Sequence, residues 1–88
     1  MAKRSAFMKK INEKREENLR NFCDNVRFLR EREGLTKLEM ARKLKVGIRT
    51  VTMLERGIVP RRLSSTTVFN IYYEFGISPD DIFKKRLF

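Results

Sequence analysis

Four glycines, at positions 34, 47, 57 and 76, divide this chain, and between them the apolar residues recur at helical spacing. Phe22, Val26 and Leu29 stand at i, i+4 and i+7 ahead of Gly34, one face of a helix. Met40, Ala41 and Leu44 form a second inner face. Val51 and Leu54 form a third, between Gly47 and Gly57. Val68, Ile71, Tyr72 and Phe75 form a fourth, which Gly76 ends. A fifth opens at "SPDDIF", with Ser78 as N-cap, Pro79 at the first helical position and two acids at the positive end of the helix dipole. No run alternates with the period of a strand. The predicted fold class is all-α, a bundle of five short helices.

Local chemistry places the boundaries. Thr36 and Glu39 have the spacing of a capping box, in which each side chain satisfies a backbone N–H of the other residue. Gly47 is the expected N-cap of a helix from Ile48 to about Arg56, and Ser64 or Ser65 that of the next. "IVPRRLSS" between them is a loop holding Pro60 and two adjacent arginines. Residues 1–18 are read as a basic extension to a domain at 19–88. This extension and its border with the domain carry seven Lys or Arg and three Glu within residues 1–20. Lys9–Glu13 and Glu16–Arg20 are spaced for i,i+4 pairs, which suits a solvated helix gripping only through Phe7, Met8 and Ile11. An arm laid on DNA, an added dimer helix and a disordered segment all remain open for it.

The 88 residues allow one small domain, and a formal charge of +10 favours a polyanionic partner, nucleic acid ahead of an anionic membrane. The chain has no His and a single cysteine, Cys23. One cysteine allows no internal disulfide and suggests a reducing, cytoplasmic setting. Without His there is no expected zinc or haem site, no activated nucleophile and no cofactor, so an enzyme is not expected. No apolar run approaches the length of a membrane span, and "MAKRSAFMKK" lacks the apolar region of a secretory signal. The last helical segment ends close to the final residue, so no sensing or catalytic unit is expected after it.

The middle of the chain carries a compound pattern. Ala41 is small where one helix must approach the next, Val46 is the apolar residue of a tight turn, and Val51 with Leu54 anchors the second helix by one face. With "VRFLREREGLT", "LEMARKLKV", "TVTMLERG" and "FGISPDDIF", the chain resembles the Xre-like helix-turn-helix family, the DNA-binding domain of phage repressors and Cro, from about Leu19 to Phe83. The resemblance implies a five-helix repressor-like bundle. Its third helix would enter the major groove of double-stranded DNA, and a homodimer would read two half-sites.

Position by position, the resemblance implies that Arg30 and Glu55 form a structural ion pair joining the first and third helices. Ile48, Arg49, Thr52 and Met53 are the expected base-contacting residues. Arg49 is the principal reader, because a guanidinium bonds bidentately to guanine, and Ile48 suits a thymine methyl. Lys37, Arg56, Arg61 and Arg62 are the expected phosphate contacts. Lys45 falls at a turn site where glycine is common, and Tyr72 where a small residue is usual. Leu87 and Phe88 lack an evident core partner and are the expected dimer interface. A competing reading keeps the fold and makes it a protein-interaction module or an antitoxin-like partner protein, docking through Ile48–Met53 or the "FKKRLF" tail.

Overall fold

The computed structural model describes residues 6–61 and 63–88, with side chains from Glu13 onward. Five helices follow in order: α1 Ala6–Arg32, α2 Lys37–Leu44, α3 Ile48–Glu55, α4 Ser65–Phe75 and α5 Pro79–Lys84. No strand occurs among the described residues.

The helix ends follow the local signals. Thr36 and Glu39 form both halves of the capping box, with the Glu39 N–H donating to Thr36 Oγ1 at 3.1 Å and the Thr36 N–H to Glu39 Oε1 at 2.8 Å. Bonding from the Thr36 N–H, with the Thr36 side chain adding to it, holds the Glu39 carboxyl below the usual range. Ser64 and Ser78 cap α4 and α5. At the end of α1, Gly34 takes a left-handed φ of 67°, while Leu35 N–H donates to Arg30 O and Gly34 N–H to Glu31 O. That is the Schellman closure, which satisfies carbonyls the helix leaves open. The end of α2 has the same closure, but its left-handed position is Lys45, at φ 58° and ψ 45°.

α1 joins the helix expected before residue 18 to the first helix of the bundle. Its 27 residues run without interruption through that point. Glu13 to Glu17 are exposed, and Asn18 and Leu19 are half-buried where the bundle begins. Phe7, Met8 and Ile11 lie outside the described side chains.

One core holds the helices together. α1 contributes Phe22, Cys23, Val26 and Leu29, α2 Met40, Ala41 and Leu44, α3 Val51 and Leu54, α4 Ile71 and α5 Ile82. Each large aliphatic or aromatic side chain so buried contributes about 1.5–3 kcal/mol. The Phe83 ring stacks on Phe22 with centroids 4.8 Å apart, closing the α1–α5 contact. Burial pushes the Cys23 thiol up to about 11, with the Asp24 carboxylate adding to the shift.

The buried face of α4 differs from the sequence expectation at one position. Tyr72 is 51 % exposed, and the polar Thr67 is buried in its stead. The Tyr72 ring leans toward Tyr73 rather than into the core.

Candidate nucleic-acid interface

α2 and α3 meet through a turn of three residues, and its geometry sets the direction of α3. Val46 N–H donates to Ala41 O at 3.0 Å, and the Val46 side chain packs on the core. Gly47, extended at φ −75°, starts α3 with no side-chain cap. The open N–H groups at this end are donors that an anion can meet.

The inner face of α3 is fixed twice. Val51 and Leu54 are completely buried. One turn on, Glu55 receives a two-pronged bond from Arg30, with Nε to Oε2 at 2.6 Å and Nη2 to Oε1 at 3.0 Å. The remaining amino group, Nη1, donates to Leu35 O at 2.9 Å. The guanidinium therefore ties the α1–α2 loop, at Leu35, and the end of α3 to α1. The two side chains are only 17 % and 6 % exposed. Bonding to Glu55 raises the Arg30 pKa against the opposing effect of burial.

The outer face follows from the inner one. Ile48 is 49 % exposed, Arg49 and Arg56 are exposed, and Thr52 and Met53 are half-buried. Arg49 thus stands in solvent at the start of a helix held at its far end. Met53 has less free surface than the outward position suggested, and its carbonyl accepts from Ile58 N–H at 2.9 Å as the chain leaves α3. Lys37 is half-buried at the start of α2. Arg61 is exposed in the loop after α3, and Arg62 lies outside the described residues.

The C-terminal segment is tied down more firmly than its sequence suggests. Asn25, completely buried, donates from Nδ2 to Ile82 O and Lys85 O, and its Oδ1 accepts from Leu87 N–H at 2.9 Å. Leu87 packs against the core, so the premise that it has no core to fill does not hold. Phe88 remains 62 % exposed, lying beside Phe28, with the Arg86 guanidinium over its ring.

Charge is divided between two sides of the sequence in a way the residue-by-residue reading missed. From Leu63 to Phe83 there is no Lys or Arg, although the chain has 21. The cations therefore lie on α1 to α3, their loops and the last residues, while α4 and most of α5 carry only acids. A running count of charge along the sequence exposes this division. Among the described residues no group of His, Cys, Asp and Glu has the arrangement of a metal site, and no helix is long and apolar enough to cross a membrane.

A family model described as helix-turn-helix matches residues 26–82, more than half of the chain. No curated protein and no solved structure matches it.

Proposed function

The chain belongs to the Xre-like helix-turn-helix family, and from that premise we propose that it is a sequence-specific transcriptional regulator reading double-stranded DNA through α3. The observation that carries the reading is the division of α3 into two faces. Val51, Leu54 and the Arg30–Glu55 pair fix one face, and Ile48, Arg49, Thr52 and Met53 are left on the other. A reader of bases needs side chains on a rigid element, since loose side chains lose discrimination. Arg49 supplies a bidentate donor for guanine, Ile48 an apolar contact for a thymine methyl, and Thr52 a short polar group for base or phosphate.

Lys37, Arg56, Arg61 and Arg62 supply the phosphate contacts that fix register without reading sequence. In this reading the basic N-terminal segment ahead of the bundle adds to the same attraction. Two copies would read half-sites about one helical turn, ~34 Å, apart.

The test separates reading from positioning. Arg49→Ala is expected to lose the preference for a cognate over a scrambled duplex, by roughly 1–3 kcal/mol. Arg61→Ala is expected to weaken both duplexes by a similar factor. Fluorescence titration of both duplexes measures this, and identical behaviour of the two variants contradicts the assignment of α3.

A further inference from the structure

α3 offers a ligand few hydrogen-bond acceptors. Its one acid, Glu55, has both oxygens bonded to Arg30 and only 6 % of its side chain exposed. The acid in the first turn of α2, Glu39, is engaged in the capping box. α3 contains no Asn, Gln or Ser. Besides Arg49 and Glu55, its polar side chains are Thr50 and Thr52, both half-buried. Base edges that offer an N–H, at cytosine N4 or adenine N6, are read best by carboxylate and amide side chains. α3 has none free.

What α3 does present is apolar. Helix residues four apart share one stripe, so Ile48 and Thr52 form one and Arg49 and Met53 the next. Successive residues are turned about 100° from each other, and the two stripes therefore meet different base positions. Ile48 leads the first stripe with half of its surface in solvent. Gly47, before it, has no side chain, and a Cβ placed there would have no heavy atom within 4 Å, so the space beside it is open. In the major groove the group that suits an aliphatic side chain is the C5 methyl of a pyrimidine. Thymine carries it, and 5-methylcytosine carries it at the same ring position. Cytosine and uracil lack it. Ile48 has no polar atom with which to tell O4 of thymine from N4 of 5-methylcytosine.

Given that α3 reads DNA, on which this inference rests, we infer that Ile48 makes it a reader of C5 methyl groups, and that DNA methylated at cytosine C5 is a class of target for it. A site with 5-methylcytosine at the Ile48 position is bound more tightly than the same site unmethylated. A site that loses the thymine methyl there is bound more weakly. Taking one methyl group out of water is worth about a fourfold change in affinity. The guanine contact of Arg49 is made by polar groups and does not respond to the methyl.

The test uses the full chain and a duplex selected by it from a random pool. Each thymine of that duplex is replaced in turn by deoxyuridine, and fluorescence titration measures the change. Replacing one thymine of a half-site is expected to weaken binding about fourfold, and replacing the others to change little. At that position a 5-methylcytosine–guanine pair is expected to bind about fourfold tighter than a cytosine–guanine pair. Ile48→Ala is expected to bind the members of each such pair of duplexes alike. Ile48→Val, which keeps a branched apolar side chain, is expected to retain most of the difference. Thermal melts identify any variant that has lost its fold. A selected duplex that is indifferent to every thymine replacement overturns the inference and leaves reading by α3 in place. A methyl effect that persists in Ile48→Ala overturns it too, since the effect then comes from the duplex or from another residue. Failure of the full chain to select any sequence contradicts reading by α3 itself, and this inference with it.

Discussion

Lys45 holds a left-handed conformation that costs a residue with a Cβ roughly 1 kcal/mol, and it does so to close α2 and direct α3. Lys45→Gly is therefore expected to raise stability by about 1 kcal/mol, seen as an increase in Tm of roughly 4–8 °C. An unchanged or lowered Tm would show that the strain is absorbed elsewhere. The Arg30–Glu55 pair is the opposite case, because its loss strands a charge that is largely out of water. Glu55→Ala is expected to cost about 3–5 kcal/mol. Adding Arg30→Met should recover part of that loss. Recovery stays incomplete because Leu35 O loses the donor it has in Arg30 Nη1. Urea unfolding of the three chains measures both steps, and a Glu55→Ala variant as stable as the parent contradicts the account of the pair.

Element boundaries were legible because caps act over three or four residues. Thr36 with Glu39, Ser64, Ser78 and Gly34 each declare themselves in the sequence, and each is found in its expected place. The continuity of α1 was harder to read, since no apolar residue lies between Ile11 and Leu19 and Glu13 to Glu17 are exposed. Tyr72 was assigned inward because it fits helical periodicity, and periodicity cannot tell it from Thr67 at the edge of a narrow stripe. The grip of Asn25 on the C-terminal segment joins residues about 60 apart in the chain, and no local pattern announces it. α1 also carries a pH-dependent element in Cys23, packed into the face it buries. A thiol raised to about 11 in the folded chain, against about 8.5 unfolded, is neutral in both states below the lower value. Its contribution to stability is fully present there and is lost as pH rises through about 11. Unfolding followed from pH 7 to 11 should show the parent losing stability relative to Cys23→Ala over that window; parallel curves would mean the thiol is not protected.

At the scale of the whole molecule, the cations are unevenly distributed along the chain. The cations belong to α1, α2, α3, their loops and the tail, and the exposed aromatic residues Phe69, Tyr72 and Tyr73 belong to α4, within a stretch that holds none. The charge was legible in the composition, and the inward side of α3 in the spacing of Val51 and Leu54; the base-reading role of Ile48, Arg49, Thr52 and Met53 comes from the family resemblance and is what the variants test. The most direct measurement is selection of duplexes from a random pool by the full chain, followed by titration of the selected duplex against salt. A shared sequence is expected to emerge, with two inverted half-sites about one helical turn apart. Affinity for it should fall with a log–log slope of about −2.7 or steeper per subunit, about −0.9 for each of at least three phosphates neutralised, and Arg49→Ala should recover no common sequence. A pool that shows no enrichment, or an affinity that does not respond to salt, would contradict DNA reading by α3.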